Sequence, residues 1–119
     1  MAGFIDIEAE LLSALTELTG FEWYGSAPAS ADSVFGTVER TGGPCGTAVD
    51  RPTVALQVWG GTREQCAKAA ASLAASVPSL PSCSRIRSAS VSSYYSYPDI
   101  DGNRPRWQVV CELATVAAE

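Results

Sequence analysis

The stretch 51–77 limits what this chain can become. It reads Arg51-Pro52-Thr53-Val54-Ala55-Leu56-Gln57-Val58-Trp59, then Gly60-Gly61, then Thr62-Arg63-Glu64-Gln65 and an alanine-rich run to Val77. Val54, Leu56 and Val58 alternate, as a half-buried strand requires. The two glycines reach backbone angles that side chains close off, so the chain can turn sharply there. Thr62 and Gln65 stand at the spacing of a capping box, in which each side chain satisfies a free backbone N–H at a helix start. Pro78 follows, and the residue before a proline is biased away from helical angles, so the helix should end at Val77. A strand, a corner and a helix therefore occupy mid-chain, and the other segments must supply their partners.

Those segments can be read in order. Residues 6–18 form a helix on which Ile7, Leu11, Leu15 and Leu18 make one stripe that Leu12 widens. Asp6, Glu8 and Glu10 lie in its first turn, where the helix dipole favours acids, and Gly20 is a natural stop. Residues 21–33 read as a connector whose Trp23 and Tyr24 pack on the domain, with 26–33 exposed. Residues 34–40 read as the first strand, followed by a loop from Thr41 to about Arg51. Pro52 holds Arg51 extended and opens the second strand, so these two strands make a long-looped hairpin.

After the second helix, residues 78–82 read as a stiff link and 85–97 as a third strand. Simple alternation puts Arg87, Ala89, Val91, Ser93, Tyr95 and Tyr97 on one side of it, and Ile86, Ser88, Ser90, Ser92 and Tyr94 on the other. Residues 98–104 form a turn around Asp101-Gly102. Residues 106–115 form the fourth strand, with Trp107, Val109, Cys111 and Leu113 inward, and 116–119 a short tail. The expected fold is α+β, in α-β-β-α-β-β order: a four-stranded, mainly antiparallel sheet with two helices on one face. Gln57, Trp59, Gln108, Glu112 and many serines fall on the opposite, more polar face.

Composition narrows the function classes. A chain of 119 residues, 46% hydrophobic and 18% charged, is one domain, 1–119, with enough apolar content for a core. The net charge of −5 and the lack of a basic cluster argue against gripping nucleic acid by its phosphates. Its apolar runs fall short of the roughly 20 residues of a membrane span, so no membrane role is expected. The first six residues lack the basic start of a signal peptide.

No histidine is present, which removes the commonest general base. Nothing in the order of Ser, Cys and Asp suggests a nucleophile, base and orienter, so catalytic residues are expected to be none and the protein not to be an enzyme. Cys45, Cys66, Cys83 and Cys111 lack the spacing of a zinc site. Cys66 and Cys111 fall in apolar patterns and read as small buried hydrophobes. Cys45 and Cys83 lie in loops, where either reduced thiols or a disulfide is open, with reduced thiols favoured by the lack of an export signal. Asp99, Asp101 and Asn103 imitate the start of a calcium loop, but glycine comes fourth, as Gly102, and Val110 takes the place of the twelfth-position glutamate. An acidic turn is the simpler reading, and neither metal nor cofactor is expected. Gly60-Gly61-Thr62 lacks the lysine and spacing of a phosphate-binding loop and reads as a plain corner. Tyr94, Tyr95, Tyr97 and Trp107, with Arg104 and Arg106 beside them, are either cross-strand packing or a protein interface, where Tyr, Trp and Arg are enriched.

Three stretches together resemble the tail terminator proteins of long-tailed, siphovirus-like bacteriophages, especially those of actinobacterial hosts. They are Val38-Glu39-Arg40-Thr41-Gly42-Gly43-Pro44 leading to Asp50-Arg51-Pro52-Thr53-Val54; the strand-corner-helix unit; and Tyr95-Ser96-Tyr97-Pro98-Asp99 through Arg104-Pro105-Arg106-Trp107-Gln108. The acidic first helix also fits, so the resemblance spans nearly the whole chain. The cysteines and the 45–49 insert depart from the family pattern and bear on the shape of that loop. The resemblance implies a homohexameric ring in the virion neck, assembled in the host cytoplasm. Such a ring caps the head-proximal end of the tail tube, stops tube growth and meets a head–tail connector or stopper protein. DNA would pass through it without specific binding. The loop 41–51 with its flanking Arg40 and Arg51, and the hairpin bearing Tyr94, Tyr95, Tyr97, Asp99, Arg104 and Arg106, are implied as contacts with neighbouring subunits or the major tail tube protein. Alternatives are another neck component, such as a stopper or tube-like subunit, or a small non-viral binding module or enzyme subunit.

Overall fold

The computed structural model describes residues 4–29, 33–44, 46 and 48–116. The expectations for the first three residues, for 30–32, for Cys45 and for 117–119 lie outside the described residues. Helix α1 spans Ile7–Thr19; the Asp6 side chain accepts the Ala9 N–H at its start, and Gly20 closes it in the left-handed conformation. Two-residue β1 (Trp23–Tyr24) and eight-residue β2 (Phe35–Gly42) follow, then β3 (Val49–Asp50) and β4 (Thr53–Trp59). The corner behaves as its composition demands, with φ of 85° at Gly60 and 67° at Gly61. Helix α2 (Arg63–Ser76) starts with the full capping box between Thr62 and Gln65. A 3-10 turn, Val77–Ser82, leads to β5 (Ser88–Ser96) and β6 (Arg106–Val116).

The fold is mixed α+β with two helices, as expected, but the sheet has six strands rather than four. β2 pairs antiparallel with β4, β4 with β6, and β5 with the other side of β6. The two extra strands were hidden in segments read as loops. β1, inside the connector, pairs in parallel with β2 at Gly36 and Thr37. Its Trp23 ring lies over Gly36, where a Cβ would have no room. β3 continues the line of β4 along β6: Asp50 faces Thr115, the Pro52 carbonyl accepts the Leu113 N–H, and Thr53 faces Glu112.

Both helices share one core with one face of this sheet. Leu11 and Leu15 from α1 and Cys66, Ala70 and Leu73 from α2 pack with Val38, Val54, Leu56, Val58, Val109, Cys111 and Leu113. Full burial of each leucine contributes about 2 kcal/mol. Burial pushes the Cys111 thiol up to about 12; it raises Cys66 to about 11, where the Trp107 backbone opposes it. Cys83 is a half-buried free thiol.

Two local expectations are corrected. Val77 keeps right-handed helical angles, φ −52° and ψ −43°, although Pro78 follows it. The link continues as a 3-10 turn because Val77 and Leu80 are both fully buried and anchor it. The pairing of β5 also shifts register between Val91 and Ser93. Ser92 is the extra residue, its hydroxyl donating to the Val110 carbonyl at 3.1 Å. Simple alternation therefore fails beyond it. Ala89, Val91 and Tyr94 face Leu113, Cys111 and Val109 on the helix side, whereas Ser93 and Tyr95 face Val110 and Gln108 on the outer side.

Candidate functional site

The outer face of the sheet, opposite the helices, carries two adjacent rows of side chains set by strand register. In the first, Phe35 on β2 faces Trp59 on β4, and Trp59 faces Arg106 on β6. The Tyr97 N–H donates to the Arg106 carbonyl, which brings Tyr97 into the same row. Phe35 and Trp59 stack with ring centroids 5.9 Å apart. The Arg106 guanidinium lies 4.6 Å from the Trp59 ring centre and 4.3 Å from that of Tyr97. Its Nε donates to the Tyr97 carbonyl at 2.6 Å and its Nη2 to that of Pro98 at 3.4 Å. Cation–π contacts of this kind contribute about 0.5–2 kcal/mol each, and here they fix a long side chain in one place.

Arg104 supports the same row from the turn. Its guanidinium lies 4.7 Å from the Trp59 ring centre, its Nη1 donates to the Pro28 carbonyl, and its Nε donates to Asp99. Asp99 and Arg104 also exchange backbone hydrogen bonds, and the Asp99 carboxylate accepts the Gly102 N–H. The carboxylate of Asp99 is therefore used to shape the turn. No group of three or more metal-ligating side chains occurs among the described residues.

The second row is polar. Thr37, Gln57, Gln108 and Tyr95 lie directly opposite one another across β2, β4, β6 and β5. The Gln57 amide donates to the Gln108 carbonyl at 2.7 Å, and the Gln108 amide donates to the Tyr95 hydroxyl. Thr37 donates to Gln57 and accepts from Trp59 Nε1, which ties the two rows together. Tyr95 and Tyr97 meet edge to face, 6.1 Å apart, and remain 40% and 45% exposed. The result is a braced patch whose aromatic edges reach solvent while its polar groups are already paired.

The hairpin residues singled out in the sequence are thus only partly brought together. Tyr95, Tyr97, Asp99, Arg104 and Arg106 converge. Tyr94 does not: the bulge at Ser92 turns it to the helix side, where it packs against Trp107 at 5.6 Å. Arg40 and Arg51 lie at the opposite end of β4, about 20 Å away at the usual rise of a strand. Arg40 holds Asp50 through two 2.7 Å hydrogen bonds and reaches the carbonyls of Gly42 and Gly43. The Arg51 N–H donates to the Pro44 carbonyl, so this backbone closes the same loop. Asp50, 1% exposed, escaped the sequence reading although it anchors that end. Phe35 and Thr37 escaped it as well; their alternation with Val38 in a run of eight β residues was the available signal.

A groove of about 710 Å³ opens beside the hairpin turn, between Arg63, Glu64 and Ala67 of α2 and the segment from Ser96 to Trp107. Ile100, 87% exposed, stands at its rim. No protein-family model matches the chain, and no curated protein matches it.

Proposed function

We propose that the protein is a tail terminator: six copies form a ring that caps the head-proximal end of a phage tail tube, stops its polymerisation and receives a head–tail connector or stopper. The observation that carries this reading is the braced outer patch of the hairpin. Arg106 is held between Trp59 and Tyr97 before any partner arrives. Docking such a patch costs little side-chain entropy. Tyr, Trp and Arg are also the residues in which binding energy concentrates at protein interfaces. The sequence resemblance to tail terminators runs through this same hairpin and through the loop that Arg40 and Asp50 hold.

A tail tube grows by adding rings, and each ring presents the surface its successor needs. A head-to-tail contact that does not close has no intrinsic end. Termination requires a subunit with one face that matches the tube and another that rejects a further tube ring while accepting a connector. A single domain with prearranged contact surfaces performs this without chemistry. The net charge of −5 suits a channel through which duplex slides without sticking.

Deleting the protein from its phage should leave DNA-filled heads and unjoined tails, some overlong, in electron micrographs of the lysate. Normal tails attached to heads would overturn the proposal. Empty heads beside tails of normal length would favour a stopper instead. Arg106→Glu and Tyr95→Ala should each lower the yield of joined tails while leaving the far-ultraviolet circular dichroism unchanged.

A further inference from the structure

The two long margins of the sheet are finished differently. The outer margin of β2 is shielded: β1 pairs with it at Gly36 and Thr37, the Gly36 N–H donates to the Glu22 carbonyl, and the Glu8 carboxylate accepts the Arg40 N–H at 2.8 Å. β5 pairs with β6 on one side, and among the described residues no strand pairs with its other side. Between Arg87 and Asp99 the chain carries no charged side chain, and no proline occurs before Pro98. An edge without charge or proline is a template for another strand.

We propose that β5 is a self-association edge, on which two copies of this chain pair their β5 strands antiparallel about a twofold axis through Ser93. A second copy fits for three reasons. The chain is acidic overall, so copies repel through most surfaces, but β5 has no charge to oppose its own image. The β2 margin is already shielded, so the open edge that an identical molecule offers to β5 is β5 itself, and the contact is isologous.

The third reason is register. Directly opposed residues in a sheet lie on the same face. With Ser92 looped out, Ala89, Val91, Tyr94 and Ser96 share the helix face, and Ser90, Ser93, Tyr95 and the following Tyr97 share the outer face. A twofold through Ser93 sets Tyr94 opposite Val91 of the second copy, Tyr95 opposite Ser90, Ser96 opposite Ala89, and Tyr97 opposite Ser88. Every face then matches. The three tyrosines, 46%, 40% and 45% exposed, each lie across from a smaller residue, and Tyr94 with Val91 makes an aromatic–β-branched pair. A twofold through Ser92 would set helix-face residues against outer-face ones. Twofolds through Val91 or Tyr94 would also match faces but would leave one end of the strand unpaired, whereas the one through Ser93 pairs 88–97 along its whole length.

This contact does not rest on the terminator reading, which concerns head-to-tail contacts in a ring. It is tested by cysteine placement in a chain with Cys45 and Cys83 changed to serine, since Cys66 and Cys111 are buried. Directly opposed residues have Cβ atoms about 4.5–5.5 Å apart, close to disulfide range. Ser93→Cys should therefore form a disulfide dimer on mild oxidation. Ser90→Cys alone should not, because its two copies would lie about 13 Å apart along the strands. Mixing Ser90→Cys with Tyr95→Cys should restore the cross-link. Equal cross-linking of Ser90→Cys and Ser93→Cys would overturn the proposal, and so would a monomer mass by light scattering at about 100 µM with no Ser93→Cys dimer.

Discussion

The two ends of the sheet use arginine in opposite ways. Where β4 begins, Arg40 clamps Asp50 with two 2.7 Å bonds, and the carboxylate it holds is 1% exposed. Where β4 ends, Arg106 lies between two aromatic rings and donates to main-chain carbonyls; among the described residues no carboxylate pairs with it. The first arrangement takes the carboxylate out of water and leaves the guanidinium partly in it, so Asp50 depends on Arg40 more than Arg40 on Asp50. The second leaves the cation solvated at its rim and the rings exposed at their edges. A locked arginine shapes the loop from β2 to β4, whereas a stacked one presents a surface. The same residue type thus does structural work at one end and is available for recognition at the other.

The strongest way to break this contrast is to remove Arg40. Arg40→Met leaves a buried carboxylate without its guanidinium, a change that costs about 3 kcal/mol. In a domain of this size that lowers the midpoint of thermal unfolding by roughly 10 °C. Asp50→Asn should cost less, about 1–2 kcal/mol, because the Arg40 side chain is 30% exposed and can turn to water. Urea titrations of the two variants give the ranking. Equal losses would mean that burial of Asp50 does not set the strength of this clamp.

At the other end the expected effect on stability is smaller. Arg106→Ala gives up two cation–π contacts and two hydrogen bonds at a partly exposed site, for a loss of about 1–2 kcal/mol. The near-ultraviolet circular dichroism should change, because Trp59 and Tyr97 lose the group between them. Arg106→Lys keeps the charge but not the planar stacking, and should fall between wild type and Ala in the near-ultraviolet signal. If Arg106→Ala destabilises the protein as much as Arg40→Met does, the hairpin patch is part of the core and not a presented surface.

Some of this contrast was legible in the sequence, and the reasons differ by element. The corner, the capping box and the stripe of α1 could be read because each depends on neighbours within a few residues: Gly60 with Gly61, Thr62 with Gln65, Ile7 with Leu11. The inward set of β6 was also readable, since Val109, Cys111 and Leu113 share one parity, Gln108 and Glu112 hold the other, and all three are buried. β1 and β3 were not, because two-residue strands carry no period and form only where a longer strand already lies beside them. The side on which Tyr94 falls was lost in the run Ser90-Val91-Ser92-Ser93, where one looped-out serine leaves no trace in hydropathy. Arg106 and Trp59 are 47 positions apart, and only the register of β4 on β6 joins them. Asp50 looked like a loop acid beside Arg51; its partner is Arg40, reached only once β2 and β3 are laid side by side.

The smallest effect should come from a third arginine, Arg85, and it separates charge from burial. Arg85 meets Glu10 of α1 with two guanidinium hydrogen bonds, and its backbone N–H adds a third at 2.8 Å. The geometry resembles that of Arg40 and Asp50, but the Arg85 side chain is 65% exposed. Partial burial pushes the Glu10 carboxyl up, yet the backbone N–H, side-chain bonds and positive charge of Arg85 outweigh it, so its pKa lies below the usual 4.5. A carboxyl whose folded-state pKa is depressed contributes stability in full above its unfolded value and loses it as pH falls through the folded value. Glu10→Gln should therefore be less stable than wild type at pH 7, by no more than about 1 kcal/mol, because the arginine of the pair lies largely in water although the Glu10 side chain is only 16% exposed. The gap should narrow from about pH 5 downward and close once Glu10 is protonated in both states. Urea midpoints of the two proteins measured across that range decide it. A gap that persists at low pH would assign the effect of Glu10 to packing. A gap at pH 7 as large as that of Arg40→Met would show that exposure of the arginine does not lower the cost of breaking such a pair.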